Sequence, residues 1–339
     1  MNGQRIFLRE ENWGRLVYDP ELDEFEAQVF NDTSEIIGHS PISAGCLITG
    51  KCNLMCPHCY GNRENLPARE MSAGEWHKAF GKLRQWGLMR VDISGGEPTL
   101  RPDLNDILES AIGWGFNTIL STNGSIPHAG PDGWPRGVRV HVSLDSGDPA
   151  IHEANRRSLS GKASTDSFER TSKFIERCVG EGFKMRVLTA VGAHNQSDLL
   201  RLGEHIASLG ATEWNISRIL QAGRARVNYD SLWTAADADL QEQVVTIQDA
   251  FPWITVRYSS RTTQNGYFLL VLPDGNLATQ LTGAQDKVTL GHLFSMELRD
   301  VAQNSLFDLQ SHFRKWCTRA VVASAEHWNQ FQNEFALAR

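Results

Sequence analysis

Ile42-Ser43-Ala44-Gly45-Cys46-Leu47-Ile48-Thr49 runs through Gly50 into Lys51-Cys52-Asn53-Leu54-Met55-Cys56-Pro57-His58-Cys59-Tyr60. The first piece reads as a buried strand. The second puts three cysteines on one tight loop at C-x3-C-x2-C spacing. A structural zinc site closes its shell with four ligands, and an ordinary [4Fe–4S] site uses four cysteines. Three thiolates leave one iron of such a cluster open, and an open iron can hold a substrate or a cofactor. Two plainer readings compete. Cys56-Pro57-His58-Cys59 has the C-x-x-C form of a redox dithiol, but that leaves Cys52 without a part. A zinc knuckle needs a fourth ligand. His58 and Cys46 are the close candidates, and His58 lies between two ligands, where its geometry is poor.

Outward from this stretch, short β-like runs alternate with amphipathic helical stretches, the pattern of βα units and a parallel sheet. The spacing predicts strands over residues 42–49, 90–94, 117–121, 139–144, 184–191 and 213–219. Helices are expected over 73–86, 104–114, 168–180 and 196–209. Six units in roughly 180 residues fall short of an eight-unit barrel, which needs roughly 250. They fit an incomplete, open barrel. Active sites of parallel barrels lie at the C-terminal strand ends, and the cysteine loop follows the first strand directly.

Both ends of the chain read differently. Residues 5–9, 14–19 and 24–30 alternate apolar and charged, with a turn-like Asp19-Pro20-Glu21-Leu22-Asp23, so a small antiparallel β element is expected. Past residue 231 a helix is expected over 235–250, then β-like pieces over 253–258, 267–272 and 276–280, then closing helices over 295–313 and 320–338. The expected domains are 1–40, 41–230 and 231–339. The fold class is α/β: a partial (β/α)6 barrel, a small N-terminal β element and a C-terminal α+β extension.

The 339 residues are 41% hydrophobic, enough for one large α/β domain with a smaller appendage. A net charge of −7 without a Lys/Arg block argues against nucleic acid as a partner. Met1-Asn2-Gly3-Gln4-Arg5-Ile6 lacks the apolar stretch of a signal peptide, and no long apolar run follows. A soluble, cytoplasmic protein without a membrane partner is expected. Cys46, Cys178 and Cys317 are scattered. In a reducing compartment that favours a metal site over a disulfide framework.

A second motif follows the second strand: Val91-Asp92-Ile93-Ser94-Gly95-Gly96-Glu97-Pro98-Thr99-Leu100. A glycine pair at a strand end lets backbone approach a ligand closely, and proline fixes the turn. Alone it reads as a strand-to-loop turn. After a three-cysteine loop it resembles the GGEP motif of the radical S-adenosylmethionine (SAM) enzymes, and the cysteine loop with Tyr60 after it resembles that family's signature. Later strand ends agree: Ser121-Thr122-Asn123-Gly124, then Ser143-Leu144-Asp145-Ser146 with His152-Glu153-Ala154-Asn155-Arg156, then Arg218-Ile219-Leu220-Gln221-Ala222-Gly223-Arg224-Ala225. Asn, Asp and Ser also cap loops commonly, so each position alone carries little weight.

The resemblance implies a (β/α)6 radical SAM barrel with one [4Fe–4S] cluster held by Cys52, Cys56 and Cys59. It implies SAM bound by Gly95, Gly96, Glu97 and Pro98, with Tyr60, Ser121, Asn123, Ser143, Asp145, Arg156 and Arg218 as further candidate contacts. Val271-Leu272-Pro273-Asp274-Gly275-Asn276-Leu277-Ala278-Thr279 and Val288-Thr289-Leu290-Gly291-His292-Leu293 look like the core of SPASM or twitch extensions, with Thr279 where a cysteine is usual. This reads as a degenerate twitch-like extension without an auxiliary cluster. Trp13-Gly14-Arg15-Leu16-Val17-Tyr18-Asp19 resembles the opening of peptide maturases. Expected partners are therefore a ribosomally made precursor peptide, modified by cross-linking or epimerisation, and a flavodoxin- or ferredoxin-type electron donor. The alternative is a radical SAM dehydrogenase or lyase acting on a sugar or cofactor precursor. A third class is a non-catalytic metal-binding protein. The catalytic residue is not legible. Should a hydrogen donor be needed, Cys317 is the best-placed thiol.

Overall fold

A computed structural model describes residues 7–322 apart from 20–22, 31–37, 62–66, 68, 128, 233–236, 261–264 and 282–286. Six parallel strands form its centre: β4 (Ser43–Thr49), β5 (Arg90–Gly95), β6 (Asn117–Thr122), β7 (Val138–Ser143), β8 (Met185–Val191) and β9 (Glu213–Arg218). They pair in sequence order. The covering helices are α1 (Ala73–Gln85), α2 (Leu104–Gly113), α3 (Pro149–Asn155), α4 (Ser167–Gly180) and α5 (Leu199–Ser208). Helix α1 starts where Ser72 and Glu75 form a reciprocal capping box, which satisfies two otherwise orphaned donors. It buries Trp76, Phe80 and Leu83 against the sheet's outer face, where Val91, Ile93, Val140 and Val187 share the same core.

Strand alternation explains what the other face offers. Val91 and Ile93 are buried, while Asp92 and Ser94 are partly accessible. The same holds for Ser121, Ser143, Leu188, Ala190, Asn215 and Ser217. Side chains of period two point to opposite faces, so these residues line the barrel's interior. Toward the C-terminal ends that lining is mostly serine and alanine, which leaves room. A closed barrel would fill it with branched side chains.

The extension adds to both edges of this sheet. Strand β10 (Thr255–Ser259) pairs parallel to β9. Strand β11 (Leu270–Val271) pairs parallel to β4 and continues antiparallel through β12 (Asn276–Thr279) and β13 (Val288–His292). The ten strands thus form one sheet, and the region after 231 is not a separate layer.

The first and last described strands share a second sheet. Strands β1 (Phe7–Glu11), β2 (Gly14–Asp19) and β3 (Glu24–Val29) form the expected antiparallel element. A fourth strand, β14 (Cys317–Val322), joins it parallel to β3. A helix was expected from residue 320, so this is a correction: Cys317-Thr318-Arg319-Ala320-Val321-Val322 is strand. The competing force is the open edge of β3, whose backbone groups need partners. Residues 323–338 of the expected helix lie outside the described residues, as do residues 5–6, 20–22 and 235–236 of other expected elements. The expected helix over 295–313 is two shorter ones, Leu298–Ala302 and Leu309–Trp316.

This second sheet closes the barrel floor. Asp23 enters among Arg90, Arg139 and Arg186, which stand at the N-terminal ends of their strands. Glu213, at the start of β9, pairs with Arg139 at 2.6 Å and Arg186 at 2.5 Å. The cysteine loop lies at the opposite end.

Candidate cluster and cofactor site

The cysteine loop and the GGEP turn are one unit. Gly96 N–H donates to Thr49 O at 2.7 Å and Glu97 N–H donates to Lys51 O at 2.7 Å. Gly95 has φ +148°, and a Cβ there would lie 2.4 Å from Thr49 O. At Gly96 it would lie 2.1 Å from Lys51 O. The glycines thus let the two backbones approach, which no larger residue permits.

Glu97 is almost fully buried and its carboxylate is occupied. It accepts from Thr99 N at 3.1 Å, Thr99 Oγ1 at 2.6 Å, Thr122 Oγ1 at 2.6 Å and Asn123 N at 2.8 Å. It ties the GGEP turn to the end of β6. All four partners donate, so Glu97→Gln sets amide hydrogens against donors. A buried group left unsatisfied costs about 1–3 kcal/mol. We expect Glu97→Gln to lose about 2 kcal/mol of stability on that ground, read as a lower denaturation midpoint. An unchanged midpoint would show that the carboxylate is not gripped this way.

Asn123 extends the tie to the cysteine loop. Its amide donates to Asn53 Oδ1 at 2.9 Å, and Asn53 donates to Ser125 Oγ at 3.0 Å. On the other side, Met55 N–H donates to Arg157 O at 2.7 Å and Leu54 bridges Ser158. Beneath the loop, Arg156 forks onto Asp145 at 2.8 and 3.1 Å. His58 Nε2 lies 3.3 Å from the same carboxylate. Burial alone would raise the Asp145 carboxyl; Arg156 and His58 outweigh it and hold it well below the ordinary range. Two guanidinium nitrogens of Arg156 are therefore engaged within the protein.

The remaining positions line the interior. Ser121 donates to Asp92 Oδ1 at 2.8 Å. Tyr60 is half-exposed, with its hydroxyl bonded to Ser94. Ser143 ends β7, partly accessible. Arg218 Nη1 pairs with Asp237 at 3.3 Å, and Tyr258 donates to the same carboxylate at 2.5 Å. Asn53 and Asp92 are neighbours that the sequence did not single out, and His58 enters there only as a candidate fourth zinc ligand. Nothing in their spacing marks them; they are found only once the strand ends are assembled.

The donor set can be tested against a cluster. Cys52 Sγ accepts from Leu54 N at 3.4 Å, which orients the sulphur. Burial pushes the Cys56 thiol up to about 12, Arg156 opposes this, and Cys59, Asp145 and Cys52 add to it. The three sulphurs thus feel one another. Yet among the described residues no three Cys, His, Asp or Glu side chains converge where a single ion would bind. Three free thiols on one short loop suit a cluster, which takes one cysteine per iron. The residues fit the group.

Residues 46–204 match the model of the radical SAM superfamily. The matched stretch takes in the cysteine loop and the GGEP turn. A [4Fe–4S] cluster and SAM are that superfamily's cofactors. Among curated relatives, an AdoMet-dependent heme synthase of Methanosarcina barkeri is 30% identical over 181 residues, covering 52% of this chain and 50% of that one. The mycofactocin maturase MftC of Mycolicibacterium smegmatis is 26% identical over 239 residues, covering 68% and 56%. The chain spans about half the length of the curated relatives it matches. The fold is similar to Streptococcus suis SuiB, solved with S-adenosylmethionine (TM-score 0.68, 14% identity, 90% of this chain and 88% of that one) and with its precursor peptide SuiA (TM-score 0.65, 13% identity, 91% and 88%).

The other cysteines lie outside the cysteine loop. Cys46 and Cys178 belong to the core under the helices, and burial raises both thiols. Cys317 packs against the N-terminal core beneath the barrel floor. Its suggested role as hydrogen donor does not survive that placement, because the whole barrel separates it from the cysteine loop. Thr279, where a SPASM cysteine would stand, is fully buried on β12, one residue after Ala278 of a small apolar cluster with Leu47, Leu270 and Leu272. No helix of the described residues is long and apolar enough to cross a membrane.

Proposed function

We propose that this chain is a radical SAM enzyme that modifies a ribosomally made precursor peptide by hydrogen abstraction, ending in a cross-link or an epimerised residue. The observation that carries this reading is the extent of the fold similarity. It covers nine-tenths of the chain with a protein solved on its precursor peptide, whereas the heme synthase match covers about half. The higher identity of that match favours a second reading, a small-molecule radical SAM enzyme.

In the proposed reading Cys52, Cys56 and Cys59 hold the cluster. When bound, cluster and SAM together supply a 5′-deoxyadenosyl radical that takes hydrogen from the substrate. The protein's part is position and exclusion of water. Gly95, Gly96 and Pro98 shape the cradle for the methionine moiety, and Glu97 fixes that cradle from behind. Asn123 and Ser121 hold the strand end beside it, with Ser143 and Tyr60 at the mouth. Asp145 and Arg156 support the loop from beneath, and Arg218 stands at the end of β9. The electron enters from a flavodoxin- or ferredoxin-type donor.

Reconstituted protein should hold about four irons per chain, since one cysteine set ligates one cluster. Cys52→Ala, Cys56→Ala and Cys59→Ala should each lose the iron and SAM cleavage. The substrate is tested by mass spectrometry of short candidate peptides after incubation with SAM and reductant. A mass change or an epimerised residue that depends on all three cysteines supports the peptide reading. SAM cleavage stimulated by a small metabolite and by no peptide would replace it with the second reading.

A further inference from the structure

Three carbonyl oxygens of the cysteine loop are bonded by one short segment far away in sequence. Arg224 Nη1 donates to Cys56 O at 3.1 Å, Asn228 Nδ2 donates to Pro57 O at 3.4 Å, and Ala225 N–H donates to Cys59 O at 3.1 Å. Gly223 precedes them with φ +57°, a region that favours glycine. A Cβ there would lie 2.3 Å from Tyr60 O and 3.1 Å from Cys59 O. Only a residue without a side chain brings this segment so close. Arg224 is held between the buried Gly223 and Ala225.

We infer that residues 223–228 are an outer clamp for the cysteine loop, with Arg224 as the positioning residue that also sets the charge beside the cluster. The inference rests on the reading that this loop holds a cluster. The loop is already gripped by the GGEP turn on one side and by Arg157 and Ser158 on another. Those contacts engage Lys51, Leu54 and Met55, all ahead of Cys56. In the half of the loop that bears Cys56 and Cys59, Cys59 N–H donates to Cys56 O at 3.2 Å and His58 rests on Asp145; without the third grip, the carbonyls of Pro57 and Cys59 would be left to water and the chain around them less ordered. Ordering each residue then costs about 1–2 kcal/mol, to be met when the cluster binds. With the clamp that ordering is done on folding.

Arg224 adds a second effect. Its hydrogen bond is charge-assisted, the stronger kind, and it reaches the carbonyl of a ligand residue. The reduction potential of an iron–sulfur cluster depends on nearby charge and hydrogen bonds. A fixed guanidinium stabilises the more negative, reduced state, so it raises the potential. The lysine variant keeps the charge and loses the fork; the glutamine variant keeps an amide donor and loses the charge.

The test uses the full chain, reconstituted anaerobically, without substrate. Iron and sulfide per chain, the EPR spectrum of the reduced cluster and its midpoint potential are measured for wild type, Arg224→Gln, Arg224→Lys and Gly223→Ala. Arg224→Gln should retain iron but shift the midpoint to lower potential with an altered EPR line shape. Arg224→Lys should return the midpoint toward wild type. Gly223→Ala, checked for folding by circular dichroism, should lose iron several-fold. A wild-type midpoint and spectrum in Arg224→Gln, or full iron in Gly223→Ala, would overturn the clamp. Failure of wild type itself to bind iron would instead overturn the cluster reading, and the clamp with it.

Discussion

Asp23→Asn is expected to destabilise the protein by about 3–5 kcal/mol, the usual loss when one partner of a buried ion pair is removed. Asp23 accepts from Tyr18 Oη at 2.8 Å and Arg90 Nη1 at 3.1 Å on one oxygen, and pairs with Arg186 Nη1 at 2.9 Å on the other. Arg139 stands 3.9 Å away. All these side chains are largely buried at the barrel floor. The asparagine leaves Arg139 and Arg186 with Glu213 as their remaining acid, takes the carboxylate from Arg90 and sets an amide against Arg186. At about 2–4 °C per kcal/mol, the thermal midpoint should fall by roughly 10 °C. A midpoint within 2 °C or so of wild type would mean that water compensates the floor, contrary to its burial.

The same network fixes the sign of a pH dependence. Burial alone would raise the Asp23 carboxyl; Arg90, Arg186 and Arg139 together outweigh it and hold it well below the ordinary range. A carboxylate depressed on folding contributes stability above its unfolded pKa, about 3.9, and that stability is lost as pH falls through the lower folded value. Wild type should therefore lose stability on acidification below about pH 4 more steeply than Asp23→Asn. Parallel acid-denaturation curves would remove Asp23 from the account.

How much of this was legible in sequence follows from which forces are local. All six barrel strands appear within a residue or two of the expected spans, because buried parallel strands are short apolar runs bounded by turns. The three cysteines and the GGEP turn were visible because their spacing is itself the signal. The N-terminal strands were legible from alternation. Their partner β14 was not. Cys317-Thr318-Arg319-Ala320-Val321-Val322 has no strong period, and what makes it a strand is the open edge of β3, nearly 300 residues away. Asp23 read as part of a turn; only the assembled floor, with arginines contributed by β5, β7 and β8, shows why an acid stands there. Arg224 likewise sat inside a segment whose first arginine, Arg218, drew the attention. Which arginine meets the loop is decided by how far the backbone after β9 travels before Gly223 turns it.

Gly96→Ala should have the larger effect on the site itself. The added methyl would lie 2.1 Å from Lys51 O, 2.5 Å from its carbonyl carbon and 2.9 Å from Gly50 O. All three are backbone atoms, so no side chain can swing away. Either the GGEP turn or the start of the cysteine loop must move by about an ångström or more. Either movement breaks the two hydrogen bonds that join them, Gly96 N to Thr49 O and Glu97 N to Lys51 O. It also pulls Glu97 from its four donors at the end of β6. Each lost internal bond costs about 0.5–1.5 kcal/mol, and a buried carboxylate left partly unpaired costs more. We expect a destabilisation of about 3 kcal/mol from these terms together, with most of the reconstituted iron lost, because Cys52 begins one residue after the displaced Lys51. Serine at the same position should behave like alanine, since the clash is made at Cβ. Gly113, which has open space around its Cβ position and no left-handed backbone, is the matched control for general handling effects. If Gly96→Ala holds wild-type iron and denatures at the wild-type midpoint, the two motifs are not joined through their backbones, and the unit on which the proposed cofactor site is built does not exist.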